Sequence, residues 1–245
     1  MPSYNRKRGI VRYSDTGAAA AAGETNALFL YLFDENSTTT FVDSVTGLNA
    51  VLTDTGTVSS STTGVPTGVT RWVRVDGATG AGKGFDGPKV INGNSDWTIE
   101  VTFRQDDVDA TAIGMFIHDG ANSDTAGGNH MGVYTHSTCQ LIINGISYDS
   151  QPSGTSDNTV FNLCLMRNGN RLYAFIDGTL ITTKNISGLG VTFSSDCYAS
   201  VARRAPADPN ASGNFYVTNF RGFASAIYPA SGYTIPTLPL TTTVS

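Results

Sequence analysis

The segment from Phe161 to Ile181, FNLCLMRNGNRLYAFIDGTLI, leaves few folds open to this chain. Asn168-Gly169 and Asp177-Gly178 each lie between apolar runs, and both dipeptides accept the positive φ angles of a tight hairpin. The run LYAFI between them is rich in aromatic and branched side chains, which suits a strand. The stretch is expected to run strand, turn, strand, turn, strand. Trp97 to Phe103 adds a clean alternation. Trp97, Ile99, Val101 and Phe103 would face a core, and Thr98, Glu100, Thr102 and Arg104 would face away from it. Trp97 and Phe175 are the expected inward anchors.

The same grammar recurs along the chain. ALFLYLFDEN (27–36), RWVRVDG (71–77), IGMFIH (113–118), CYASVARR (197–204) and NFYVTNFRGFASAIY (214–228) are strand-like, and Asn144-Gly145 marks another hairpin. Residues 53–68 suggest a surface loop or an edge strand. A charged fraction of 14% and 27 glycines in 245 residues agree with an all-β chain rich in turns. The expected architecture is a two-sheet antiparallel β-sandwich over residues 27–228. It is flanked by an N-terminal arm, 1–26, and an extended C-terminal arm, 229–245, that lacks a core face of its own. Removing either arm is expected to leave a folded domain.

Several function classes are disfavoured at once. A net charge of −5 gives no general attraction to nucleic acid. No run is long enough for a membrane-spanning helix. The first residues, MPSYNRKRG, precede no apolar stretch, so the chain is expected to be made without a secretory signal, in a reducing compartment. Cys139, Cys164 and Cys197 are odd in number and widely spaced, and are expected to be buried small hydrophobes. The triplets beginning at Asn36, Asn185 and Asn210 then carry no weight as glycosylation sites. The Gly-rich run 77–90 is no phosphate loop, because Gly84 follows Lys83 and no helical pattern opens after it.

Taken in order, these segments resemble a concanavalin A-like, laminin-G-like jelly-roll domain. ALFLYLFDEN followed by FVDSVTGLNAVLT is similar to the opening of that family, and RWVRVDG to its next strand. DWTIEVTFR resembles its central strand, NRLYAFIDGTLI its hairpin, and NFYVTNFRGFASAIY its closing strand. The likeness covers about four fifths of the chain. It implies a lectin-like fold whose members include carbohydrate binders, adhesion modules, glycosidases and accessory domains of phage and bacterial surface proteins. The glycosidases of this fold place two carboxylates about 5 Å apart on one strand. Here only Glu100 is available, so no enzyme is expected.

The resemblance also directs attention to particular loops. Asp119, Asn122, Asn129, His130 and Tyr134 are the candidate glycan surface, with an aromatic for a sugar face and amides for its hydroxyls. A calcium ion, common in laminin-G-like domains, would draw on Asp34 and Asp43; no other cofactor is implied. His118, His130 and His136, with Cys139 beyond, lack the spacing of a zinc site. In the arms, Arg6, Lys7 and Arg8 form a basic triplet, and Tyr233, Ile235, Leu238 and Leu240 are apolar side chains that would gain burial on a neighbour. Together these features lead to the expectation of a non-enzymatic structural protein of a phage virion, made in the host cytoplasm. Capsid decoration, a head or tail fibre and a baseplate component are the places considered, with other virion proteins, further copies of the chain and a host-surface glycan as partners. A carbohydrate-binding adhesin module is the alternative, and a glycoside hydrolase of the same fold a further one.

Overall fold

The computed structural model describes residues 25–35, 40–53, 57–76, 84–106, 113–119, 129–135, 137–193, 196–201 and 215–244. Its strands are β1 (Thr25–Asn26), β2 (Phe29–Tyr31), β3 (Val51–Thr53), β4 (Thr57–Ser61), β5 (Trp72–Asp76), β6 (Gly84–Ile91), β7 (Trp97–Gln105), β8 (Ile113–His118) and β9 (His130–Thr135). They continue with β10 (Thr138–Ile143), β11 (Ile146–Pro152), β12 (Val160–Asn168), β13 (Arg171–Ile176), β14 (Thr179–Asn185), β15 (Cys197–Val201), β16 (Phe215–Phe223) and β17 (Thr243–Val244). No helix occurs among the described residues.

Two antiparallel sheets pack face to face. One has the order β11-β10-β9-β8-β15-β6-β3; the other runs β14-β13-β12-β7-β16-β5-β4, with β2 also paired to β16. The expected fold class is therefore the observed one. Phe103, Leu163, Val217 and Phe220 from the second sheet meet Met115, Val133, Leu141 and Ala199 from the first in one continuous core. Where the sheets' edges approach, Lys184 of β14 reaches Asp149 at 3.4 Å and lies 4.5 Å from the Tyr148 ring of β11.

The hairpin dipeptides close turns as their chemistry requires. Asn144-Gly145 and Asp177-Gly178 both take positive φ (47° and 77°; 50° and 72°), the pattern of a type I′ loop. The β12–β13 hairpin is shifted by one residue. Asn168 still pairs with Arg171, so Gly169, at φ 55°, holds the first loop position, where type II′ turns place glycine. The second half of the Gly-rich run is not a loop, since Gly84–Ile91 is a strand of the first sheet.

Trp97, Ile99, Val101 and Phe103 enter the core as expected, all fully buried. The opposite face of β7 departs from expectation: Thr98 and Glu100 are also fully buried, and Thr102 and Arg104 nearly so. Arg104 lies against the Trp72 and Tyr216 rings and Thr98 is bonded to Ser225 and Ile227; for Glu100 the reason lies at the C-terminus. Residues 229–244 do not stand away from the domain but fold back over this face. The Ala27 N–H donates to the Thr242 carbonyl (2.6 Å), β17 pairs with β1, and Leu240 is 3% exposed. A second cluster of Cys164, Met166, Phe175 and Tyr228, with Tyr233 against it, fills the space beneath. Phe175 is thus buried as anticipated but on the outer side of its sheet, not in the inter-sheet core.

All three cysteines are buried thiols outside any disulfide. Burial pushes the Cys139 and Cys197 thiols up to about 12, and Cys164 well above the ordinary thiol range. At pH 8 the thiolate fraction of the first two is then on the order of 10⁻⁴. A thiol-disulfide indicator at pH 8 should find no reactive cysteine in the native protein and all three after denaturation; prompt native reaction would show that the strands carrying them open.

Candidate functional site

The outer face of the first sheet is laid out by strand register. Lys89, Tyr198, His118 and His130 form one row across β6, β15, β8 and β9. The next row is Asp86, Ser200, Phe116, Gly132 and Ile142, and beyond it Tyr134 lies between Gly114 and Gln140. The Phe116 ring lies over Gly132 so closely that a Cβ there would come 1.9 Å from it. Tyr134 packs edge-on against Phe116 with centroids 5.0 Å apart, and His130 flanks it at 6.2 Å. His118 stacks on Tyr198 at 5.4 Å, with its Nε2 3.4 Å from the Asp86 carboxylate.

At one end of this face the chain leaves β8 and re-enters at β9, which brings two polar side chains together. Asn129 Nδ2 donates to the Asp119 carboxylate (3.2 Å) and to the Thr192 carbonyl (2.8 Å). Lys89 Nζ donates to the Asp119 carbonyl at 3.4 Å and lies 5.5 Å from the Tyr198 ring. The His130 N–H donates to Asn144 Oδ1, and His130 Nε2 accepts from the Gly145 N–H at 2.8 Å, so this imidazole is oriented by the β10–β11 turn. Of the five candidate glycan residues, Asp119, Asn129, His130 and Tyr134 therefore share one face; Asn122 lies outside the described residues. Tyr198 and Lys89 complete it, around the buried Phe116 ring. They were missed because the strand pattern shows that they alternate, not that their rows align.

Asp43 has another role than metal binding. Its carboxylate accepts the N–H groups of Leu30 (2.7 Å), Val45 (2.9 Å) and Thr46 (3.0 Å), and the Thr46 hydroxyl. It caps its own turn and ties it to β2. Asp34 is exposed. Among the described residues no group of three or more His, Cys, Asp or Glu is placed to hold a metal ion.

The outer face of the second sheet holds a buried polar cluster. Arg221 Nε donates to Glu100 at 2.5 Å, its Nη1 to the Thr241 carbonyl at 2.6 Å, and its Nη2 to the Tyr228 hydroxyl at 3.3 Å. Tyr228 in turn donates to the Glu100 carboxylate (3.0 and 3.1 Å to its two oxygens). Burial, then the Glu100 charge, raises the Tyr228 phenol far above the ordinary range, so it stays a neutral donor. The Tyr233 ring stacks on Tyr228 (3.6 Å between centroids, 3° between planes), and its hydroxyl donates to Asn162 Oδ1 at 2.8 Å. Every polar group of Glu100 and Arg221 has a partner within the chain, which makes the cluster structural.

The expected assembly residues divide accordingly. Tyr233 and Leu240 are packed on the chain's own sandwich, Leu240 with its N–H donated to Asn219 Oδ1 at 2.7 Å. This corrects the expectation that both wait for a neighbour. Leu238 is half-buried, Ile235 is 40% exposed, and Arg6, Lys7 and Arg8 lie outside the described residues.

The fold is an all-β sandwich of two antiparallel sheets. No protein-family model and no curated protein matches the chain. Among solved structures it is similar to the botulinum neurotoxin serotype D binding domain (TM-score 0.54, 13% identity, 82% of this chain and 49% of that one). A structure of the receptor binding domain of botulinum neurotoxin D gives 0.53, 12%, 82% and 50%. Trypanosoma rangeli sialidase in complex with sialic acid gives 0.57, 13%, 84% and 31%. The chain thus spans about half the length of the toxin domains and about a third of the sialidase, and at these identities the likeness concerns the fold.

Proposed function

We propose that this protein is a non-enzymatic, glycan-binding sandwich carried on a phage particle. The observation that supports glycan binding is the outer face of the first sheet. Tyr198 offers ring surface near the Asp119–Asn129 pair and Tyr134 offers it further along the same face, apolar plates and hydrogen-bonding groups of the kind that an extended saccharide needs. A receptor-binding domain among the structures of like fold agrees with a binding role for the sandwich. The virion setting is supported by the Gly- and Thr-rich composition and by the resemblance in segment order. The non-enzymatic reading rests on Glu100, the one acid of β7, being enclosed by Arg221 and Tyr228 instead of facing a second carboxylate.

The test is a glycan array probed with the full chain. Binding to a defined glycan, weakened about ten-fold in Tyr134→Ala, corresponds to an aromatic contact of about 1.4 kcal/mol. No glycan above background, or binding indifferent to both Tyr134→Ala and Asn129→Ala, would reject the face as the site. Immunolabelling of purified phage particles checks the setting.

A further inference from the structure

We propose that the chain carries a second saccharide site, on the opposite side of the sandwich, in the cleft between the C-terminal strap and the end of β16. This cleft has a volume of about 640 Å³, with Arg221, Tyr228 and Tyr233 at its base and Thr234, Ile235 and Thr237 along its rim. The ligand class is a neutral hydroxylated ring, a hexopyranose, either free or within a polysaccharide chain.

Three observations carry this. The cleft is preformed. Tyr233 is held by its N–H to the Gly178 carbonyl (2.9 Å), by its hydroxyl to Asn162, and by the stack on Tyr228. A cavity of several hundred Å³ with fixed walls is the usual form of a small-ligand site. Next, the cleft presents no uncompensated charge, because Arg221, the one charged residue lining it, is neutralised by Glu100 at 2.5 Å. A sialic acid or a phosphate would find no free cation there. Finally, the rim combines apolar and hydroxyl groups. Ile235 is 40% exposed beside Pro236, one of the few large hydrophobic side chains exposed among the described residues, and Thr234 and Thr237 are exposed on either side. An aliphatic wall for a sugar's C–H face, with hydroxyls for its edge, is what these residues offer.

This site is independent of the first-sheet face, and either can fail without the other. Saturation-transfer NMR on the full chain would use D-glucose, D-galactose and D-mannose in one arm and a neutral glucan in the other. Transfer to at least one probe, reduced at least about ten-fold in apparent affinity by Ile235→Ala/Thr237→Ala and unchanged by Tyr134→Ala, supports the cleft. Transfer to the glucan alone would identify a chain segment as the ligand, and to monosaccharides a single ring. Ile235 is 40% exposed and Thr237 is exposed, so the variant should melt close to the parent. Absence of transfer to all probes, transfer untouched by the double variant, or, with sialic acid added as a competing probe, a preference for it over the neutral sugars would each overturn the proposal.

Discussion

Glu100→Ala should lower the stability of the folded domain by about 3–5 kcal/mol, because it leaves the Arg221 guanidinium buried beside an empty space. Arg221 is the most enclosed charged side chain opposite β7, 1% exposed, and its Nε has no other acceptor assigned. Tyr228 loses its acceptor in the same step. For a domain of this length each kcal/mol moves the melting temperature by roughly 2–4 °C, so the drop should exceed 6 °C. The pair itself is a different matter. Taking two ions out of water offsets much of their attraction, and apolar replacements of both are often neutral or stabilising. Glu100→Leu combined with Arg221→Met should therefore regain most of the loss. Circular dichroism melts of the single and double variants measure both effects. A single variant within 1 kcal/mol of the parent would mean that water reaches Arg221, and the cluster would not be the sealed feature described.

That cluster also shows what the sequence conceals. The alternation of β7 and the glycine turns were legible because each is local: period two fixes one strand's faces, and Asp177-Gly178 fixes its own φ angles. Arg221 was not. Counting by twos from Phe215 and Val217 would put Arg221 in the core. The register instead slips between Thr218 and Arg221, so that Thr218 faces Thr102, Arg221 faces Glu100, and Phe220 turns inward. Asn219, at φ 53°, takes up the extra residue, and its side chain points to the strap. One inserted residue reverses the face of everything after it, and single-strand periodicity cannot locate the insertion. Phe175 was misplaced for a related reason. Alternation identifies a strand's two faces but not whether the second face is covered, and here the cover comes from residues more than fifty positions away. The glycan face was half legible: Asp119, Asn129, His130 and Tyr134 share a loop and the strand after it, whereas Phe116, Lys89 and Tyr198 join them only through pairing across strands.

Removal of residues 229–245 should have the largest effect of all, and in the direction opposite to that expected of a free arm. The strap supplies Tyr233 against Phe175 and Tyr228, Leu240 against β16, and the Thr241 carbonyl to Arg221. Truncating one buried aromatic or leucine typically costs about 2–5 kcal/mol, and here two go together. Their loss also opens the Glu100–Arg221 pair and the Cys164–Met166 surface to water. The sum approaches the whole stability of an ordinary domain, about 5–15 kcal/mol. The shortened chain should melt far below the parent or fail to accumulate, and where it persists it should bind a hydrophobic dye and expose Cys164 to thiol reagents. Leu240→Ala in the full chain, costing about 2–5 kcal/mol, separates the packing of the strap from its mere presence. A shortened chain that melts with the parent would show that the strap only lies on the surface and is free to leave for a neighbour. If the expected loss is seen, attachment to a particle must use other surfaces, since a strap that the sandwich needs for its own folding cannot be lent to another subunit without an equivalent one being returned.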